Sequence, residues 1–298
     1  MKALITGAGG FVGPYLTAHL ESCGDEVVGT DLEVDITDAD GVRKAFLASR
    51  PEAVYHLAAA SHVGTSWSAP VDVLRVNAEG SLNVFLAALE AGVERVLLIG
   101  SAEQYGKLAP EQIPVVETTP LQPVSPYGAS KAAAEMMASH VFHGRGLPVV
   151  SVRAFNHLGP GQSDALVASS FAKQVAEAER DGGGVIHTGD RTPRRDFTDV
   201  RDVVRAYRLL VERGEPGQAY NVCSGRDVSI QEVADHLVAL STATVSFVVD
   251  PERLRPVDVP VVRGDNTKLR DATGWSPDIP LEQTLGDVLA WWREHISR

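Results

Sequence analysis

The sequence has few cysteines and no cluster of metal-ligating residues around them. Its 298 residues include only two cysteines, Cys23 and Cys223, which lie far apart along the chain. Such spacing matches neither a disulfide framework nor a zinc site. We therefore expect two free thiols in a reducing compartment, and no metal.

The sequence also lacks an excess of positive charge and any long apolar run. Its 27 Lys and Arg residues are outnumbered by 39 Asp and Glu residues, giving a formal net charge of -12. Nucleic-acid binding needs a basic field, so we expect no nucleic-acid partner. The apolar runs fall short of the roughly 20 residues that span a bilayer. MKALITGAGG enters a strand and a glycine loop with no targeting segment, which predicts a cytoplasmic protein without membrane contact.

Short apolar runs alternate with helical patterns through the first half of the chain. The runs are KALIT, EVVGTD, AVYHLAA, RVLLIGS and PVVSVRAF. This alternation predicts an α/β fold with a doubly wound parallel sheet of the Rossmann type and a smaller C-terminal lobe. We assign residues 1–155 to dinucleotide binding and 156–298 mostly to the second lobe, with roughly 190–225 returning to the first.

Two helices stand out by their periodicity. Leu82, Phe85, Leu86 and Leu89 have helical spacing, and Gly92 supplies a stop. Near the end of the chain, one helical face carries Leu281, Leu285, Leu289 and Trp292, which predicts a terminal helix docked on the fold.

A glycine-rich loop, TGAGGFVG, directly follows the first strand and precedes a helical pattern. Glycine at this point permits a tight turn and close approach of the backbone to a pyrophosphate, while the helix N-terminus attracts phosphate charge. The loop predicts a dinucleotide site formed by Gly7, Gly10, Phe11, Val12 and Gly13.

Further cofactor contacts are expected after the second and third strands. Asp31 lies roughly 20 residues beyond the loop, where a carboxylate accepts hydrogen bonds from a ribose and repels a 2′-phosphate. We therefore favour NAD(H), with NADP(H) as the alternative. Asp35 and Ile36 are placed beside the adenine, and the small residues Ala58 and Ala59 beside the diphosphate.

A YGASK segment places Tyr127 and Lys131 four residues apart, on one face of a predicted helix. Tyrosine has an ordinary pKa of about 10, and a cation in hydrogen-bonding range lowers a pKa by roughly 1 to 3 units. Ser101 ends the fourth strand, at the sheet edge where parallel strands present their ligands. We expect Ser101 to hold the reacting oxygen beside Tyr127.

With HLAA and Asn77, these motifs resemble the extended short-chain dehydrogenase/reductase family. That resemblance assigns catalytic roles to Ser101, Tyr127 and Lys131 and gives Lys131 a bond to the nicotinamide ribose. It adds Leu57 and Asn77 to the cofactor site.

Within this family, FNHLGPGQS, RRDFTDV, RPVDVPVVRGDNTKL and ATGWSP are similar to the GDP-4-keto-6-deoxy-mannose reductases and the related GDP-mannose 4,6-dehydratases. The resemblance implies a GDP-linked 4-keto-6-deoxy sugar as substrate. Its contacts are expected from Ser61, Asn156, Lys173, Arg195, Arg255, Asp258 and Arg263. Guanidinium groups suit a diphosphate, although Arg195 and Arg263 have surface ion pairs as an alternative role.

The expected reaction is reduction of the sugar at carbon 4, giving a GDP-6-deoxyhexose such as GDP-D-rhamnose. Glu103 leaves a 4,6-dehydratase or a 4-epimerase open, since the dehydratases use a glutamate there for elimination. A non-catalytic cofactor sensor needs no proton donor, so the presence of Tyr127 and Ser101 argues against one. The resemblance and the apolar helix faces also predict a homodimer.

Overall fold

The computed structural model describes residues 1–61, 63–254 and 259–296. Its centre is a six-stranded parallel sheet with the strand order β2-β1-β3-β4-β5-β9. The order in which strands are added to the sheet reverses at β1, because β2 lies on one side of β1 and β3 on the other. Such a switch point opens a crevice for ligands. The strands are β1 (Lys2–Thr6), β2 (Glu26–Thr30), β3 (Ala53–His56), β4 (Arg95–Ile99), β5 (Val149–Ala154) and β9 (Ala219–Val222).

Helices cover both faces of this sheet, which explains why its strands are almost continuously apolar. Over the described residues, the α-helices of the whole fold are α1 (Val12–Ser22), α2 (Ala39–Ser49), α3 (Val63–Ser66), α4 (Pro70–Leu74), α5 (Gly80–Ala91), α6 (Pro126–Arg145), α7 (Val167–Asp181), α8 (Val200–Arg213), α9 (Ile230–Ala239), α10 (Thr267–Thr273) and α11 (Leu281–His295). Helices α1 and α8 pack on one face, and α2, α5 and α6 pack on the other. The predicted doubly wound fold is confirmed.

Local signals set the limits of the helices that matter for the site. Ser125 caps α6 by accepting a hydrogen bond from the Gly128 N–H, and Pro126 occupies the first helical position, where its missing N–H costs nothing. Gly92 ends α5 in the left-handed conformation at φ 71°, as predicted. A π-helical turn, Arg75–Glu79, precedes α5 and was not expected from the sequence.

The second part of the fold has smaller sheets and its own core. Its strands are β6 (Asn156–Leu158), β7 (Gly184–Thr188), β8 (Arg194–Asp199), β10 (Asp227–Ser229), β11 (Val245–Val249) and β12 (Val261–Val262). Strand β8 pairs with β10, β12 and β6, while β7 pairs with β11. Helices α7, α9 and α11 bury Phe171, Leu237 and Leu289 together. The C-terminal helix therefore docks on this core through its apolar face.

Later parts of the chain return to the first core. Helix α8 and strand β9 do so within the expected segment, whereas β8 lies in the smaller sheet. Leu269 and Trp275 also join the first core, beyond the segment that the sequence suggested. Among the described residues, no helix combines the length and the apolar character needed to cross a bilayer.

Candidate functional site

The glycine loop between β1 and α1 is tightly folded against the neighbouring strand end. Gly7 has φ 75°, and a Cβ there would collide with the backbone of Ala58. A Cβ at Gly13 would likewise collide with the Ala8 carbonyl. The first turn of α1 contains no acidic residue, so no carboxylate of the helix itself opposes an anion at its N-terminus. This part of the fold therefore fits the pyrophosphate of a dinucleotide.

The other residues predicted to contact the cofactor differ in burial and in the groups that they contact. The Asp31 carboxylate lies beside Gly9, which tolerates it only because it lacks a side chain. Asp35 is exposed and turns back to accept hydrogen bonds from the N–H and hydroxyl of Thr37, which lower its pKa. Ile36 is buried against Gly80, and Leu57, Ala58 and Ala59 are half-buried.

Three predicted catalytic side chains meet at the carboxyl end of β4. The Lys131 ammonium donates a 2.7 Å hydrogen bond to the carbonyl of Ile99, the last residue of that strand. Ser101 follows two residues later, near enough to Tyr127 for its hydroxyl to influence the pKa of the phenol. Tyr127, Lys131 and Ser101 are each at most 9% exposed. The chain thus places two hydroxyls and an ammonium at one strand end.

The prediction that Lys131 lowers the pKa of Tyr127 was wrong for the protein without bound cofactor. Burial is the largest influence and raises the pKa of Tyr127 to about 12, with Ser101 opposing the rise and Glu103 adding to it. Lys131 is not among the groups that shift the Tyr127 pKa, and its ammonium donates to the Ile99 carbonyl. Burial also lowers the pKa of Lys131 to about 8. The tyrosine is accordingly a protonated donor at neutral pH.

Asn77 and Glu103 flank this group. Asn77 is buried, accepts the Ala60 N–H at 2.8 Å and donates to the Ala60 carbonyl and the Ser130 hydroxyl. These bonds tie the segment after β3 to α6, so they give Asn77 a positioning role. Glu103 is half-buried in the turn after Ser101, near enough for its charge to influence Tyr127.

The predicted substrate-binding residues differ in burial and in hydrogen-bonding partners. Asn156 and Ser61 are exposed, at the start of β6 and after β3. Arg195 is buried in β8 and donates to the carbonyls of Arg194 and Val259. Arg263 pairs with Asp227 at 3.2 Å, which matches the ion-pair alternative.

The remaining predicted substrate-binding residues are Lys173, Arg255 and Asp258. Lys173 bonds Asp164 at 2.7 Å and lies over the Trp292 ring, so its contacts join α7 to α11. Arg255 and Asp258 lie outside the described residues.

Some polar residues at the site were not singled out from the sequence. His157 stacks on the Phe11 ring of the glycine loop, with centroids 6.1 Å apart, and so joins β6 to the cofactor loop. Gln104 is buried directly behind Ser101, and Arg153 is buried within β5. An arginine inside the apolar run PVVSVRAF was the available signal for a buried polar partner.

Comparisons with known proteins agree with this geometry. A family model described as GDP-mannose 4,6 dehydratase matches residues 30–288. The chain is 34% identical to a GDP-6-deoxy-D-mannose reductase of Pseudomonas aeruginosa, over 99% of this chain and 98% of that protein.

Solved structures resemble the whole chain as well. RMD from Pseudomonas aeruginosa complexed with NADPH has a TM-score of 0.91 and 33% identity, covering 99% of this chain and 98% of that one. UDP-glucose 4-epimerase of Thermus thermophilus in complex with NAD has a TM-score of 0.88 and 30% identity, covering 99% and 100% of the two chains. The similar structures therefore include both nicotinamide cofactors.

Proposed function

Since the chain belongs to the GDP-mannose 4,6-dehydratase family of short-chain dehydrogenases/reductases, we propose that it reduces carbon 4 of a GDP-4-keto-6-deoxy-mannose-type sugar with NAD(P)H. The product is a GDP-6-deoxyhexose such as GDP-D-rhamnose. Full-length similarity to a GDP-6-deoxy-D-mannose reductase supports this choice within the family. The observation that carries the chemistry is that Ser101, Tyr127 and Lys131 are buried together at the end of β4.

Tyr127 acts in this proposal as the general acid. Its raised pKa of about 12 keeps the phenol protonated at neutral pH. The bound nicotinamide supplies the hydride. Ser101 holds the sugar carbonyl oxygen, and the phenol gives its proton to that oxygen as the alcohol forms. Lys131 lies one helical turn after Tyr127 in α6, and its ammonium donates to the Ile99 carbonyl at the end of β4, where it would bond the nicotinamide ribose.

The residues around the glycine loop suit the cofactor. Gly7 and Gly13 bring backbone close together where a side chain would collide, and the α1 N-terminus offers N–H groups to phosphate. Asp31 would accept hydrogen bonds from the adenosine ribose, which favours NADH over NADPH. Asn77 holds the Ala60 segment in place beside this site.

The substrate diphosphate is assigned to the arginines near β8. Arg195 is already oriented by the Val259 carbonyl at 2.7 Å, and Arg263 is held by Asp227. Asn156 is exposed one residue before His157, which packs on the cofactor loop. This arrangement supports a substrate that bridges the two parts of the fold.

A dehydratase remains the second candidate because Glu103 lies near Tyr127. An enzyme of that type returns its hydride to the same sugar, so it consumes no cofactor. The test mixes pure protein with a GDP-4-keto-6-deoxy sugar and NADH, and separately with GDP-mannose alone. Loss of one NADH per sugar supports the reductase. A 4-keto product from GDP-mannose without net cofactor use would replace it with the dehydratase.

The proposed active unit is a homodimer. Apolar side chains on neighbouring helices are exposed, including Val71 and Leu74 of α4, Leu86 of α5 and Met136 of α6. Helices α4 and α5 lie along α6, so these side chains share one side of the molecule. Pairing that surface with its own copy around a two-fold axis would remove it from water.

A further inference from the structure

A chain of buried polar groups lies directly behind Ser101. Gln104 is fully buried in the single turn Ala102–Gln104 that follows the serine. Its amide oxygen accepts the Ser101 N–H at 2.8 Å, and its amide nitrogen donates to Glu135 Oε2 at 2.7 Å. Both ends of the amide are thus used, one on the serine and the other on α6.

Glu135 connects this amide to the helix that carries the proton donor. It lies one helical turn after Lys131 and two turns after Tyr127 in α6. Arg153 of β5 binds both carboxylate oxygens of Glu135, at 2.6 and 3.0 Å. Burial works against the arginine charge, but the bonds to Glu135 outweigh it and raise the Arg153 pKa. The pair is therefore ionised and fixed in a bidentate geometry.

The network continues to the far edge of the sheet. Arg153 also donates to the Tyr105 hydroxyl at 3.0 Å and to the Glu117 carbonyl at 2.8 Å. The Tyr105 hydroxyl in turn donates to Asn221 of β9 at 2.6 Å. The segment after Ser101 is consequently anchored to α6, β5 and β9 through side chains alone.

Close packing leaves this segment little freedom. A Cβ at Gly100 would collide with the Gln104 amide oxygen and the Val152 carbonyl, so only glycine fits before the serine. The Ser101 carbonyl also accepts the Gln104 N–H at 3.1 Å. Gln104 thereby closes a reciprocal pair of bonds around the serine backbone.

We propose that Gln104, held by the Glu135–Arg153 pair, is a positioning residue that sets the Ser101 hydroxyl against Tyr127. Ser101 and Tyr127 come from different elements, and this amide is a direct side-chain link between the serine turn and the tyrosine helix. Reactions depend steeply on such placement, and a displacement of about 1 Å can cost a hundredfold in rate. The proposal rests on the proposed function only for the identity of the substrate.

Gln104→Met removes both side-chain hydrogen bonds while keeping a similar length. We expect kcat to fall on the order of tenfold to a hundredfold, with the KM for the sugar and the affinity for NADH unchanged. The matched control is Thr273→Val, which deletes a buried hydroxyl bonded to Leu269, far from Ser101 in sequence. It should lose stability but keep kcat. A Gln104→Met variant with wild-type kcat and only a lower Tm would overturn the proposal.

Gln104→Glu tests the same link by pH. Its carboxyl can replace the amide only when protonated, because the neutral acid donates to Glu135 whereas two carboxylates repel each other. The ratio of variant to wild-type kcat should therefore rise as the pH falls. A pH-independent ratio would contradict the role of the Gln104–Glu135 bond.

A measurement without substrate separates this proposal from the proposed function. The ¹³C NMR signal of the Tyr127 ring carbon that bears the hydroxyl is measured in the protein without substrate. It is assigned as the signal that disappears in Tyr127→Phe. Gln104→Met should shift this signal in the same direction as Ser101→Ala, because both disturb the placement of the Ser101 hydroxyl beside Tyr127. An unchanged signal overturns the positioning role, whereas wild-type protein that does not reduce the sugar overturns only the proposed function.

Discussion

At the scale of single residues, Tyr127 and Ser101 have separable tasks in the proposed reaction. Tyr127→Phe keeps the buried ring and removes only the proton donor. General acid catalysis is typically worth about 10² to 10⁴ in rate, so kcat should fall on that scale while NADH still binds. Ser101→Ala should lose less if the serine only orients the carbonyl. Steady-state kinetics and NADH titration check this, and a Tyr127→Phe variant within about threefold of wild type would exclude the tyrosine as the acid.

Lys131 makes the stability of the protein depend on pH in a defined direction. Burial lowers its pKa to about 8, from 10.5 for an ordinary lysine. Below pH 8 both folded and unfolded chains hold the proton, and the folded state bears the full cost of a buried charge. Between pH 8 and 10.5 the folded chain releases the proton first, so this cost shrinks as the pH rises.

Lys131→Met should therefore raise the Tm of the cofactor-free protein at pH 7, and the gain should diminish at pH 9.5. Thermal unfolding of both proteins at the two pH values measures this. Arg145→Met, at the exposed end of the same helix, serves as the control and should show no such pH-dependent gain. A gain that grows with pH would mean that the lysine is stabilised by a partner.

Asp31 determines the preferred cofactor if its carboxylate faces the ribose. Asp31→Ala should weaken NADH more than NADPH, because it removes ribose hydrogen bonds and also the repulsion of a 2′-phosphate. The similar Pseudomonas structure contains NADPH, which makes the comparison informative. Asp35→Ala is the matched control and should affect both cofactors alike. Higher catalytic efficiency of the wild type with NADPH would show that the role of Asp31 is wrong.

At the scale of elements, α11 stabilises the second core through one face. Leu289 is fully buried among α7 and α9 residues, so Leu289→Ala should lower the free energy of unfolding by about 2 to 5 kcal/mol. Gln283→Ala, on the exposed face, should change it by less than about 0.5 kcal/mol. Urea unfolding of the two variants measures the difference. Equal effects would mean that α11 does not contribute to the cooperative core.

The regular elements were predictable because their signals are local. Five strands of the central sheet coincide with short apolar runs, and Gly92 ends α5 as expected. The meeting of Ser101, Tyr127 and Lys131 at one strand end also follows from the parallel topology. These features depend on periodicity and on strand direction, which neighbouring residues in the sequence encode.

Other features depend on burial, which the sequence does not display. Lys131 was expected to lower the Tyr127 pKa, but desolvation dominates and the ammonium binds the Ile99 carbonyl instead. Arg153 was counted within an apolar strand, and its partner Glu135 comes from a helix 18 residues away. Such pairings arise only when the sheet and helices have packed.

At the scale of the whole molecule, the proposed dimer interface consists of the exposed apolar side chains of α4, α5 and α6. Light scattering at micromolar concentration should give twice the mass of one chain. Met136→Glu should shift the protein toward monomer, because Met136 is 65% exposed in the single chain and would be buried between two copies. Val185→Glu, at an exposed position in β7, should leave the dimer intact. A wild-type monomer would exclude the proposed interface.

The order in which the polypeptide is synthesised has a consequence for its folding. Strand β9 is the last neighbour in the central sheet, and α8 covers Ile5 and Leu97 of the strands made first. A nascent chain that has emerged only through β5 therefore has α1 alone on one apolar sheet face until α8, beyond residue 200, leaves the ribosome. Domains generally fold as units, so we expect the first core to complete its packing only after α8 and β9 have emerged, with part of the apolar face exposed until then.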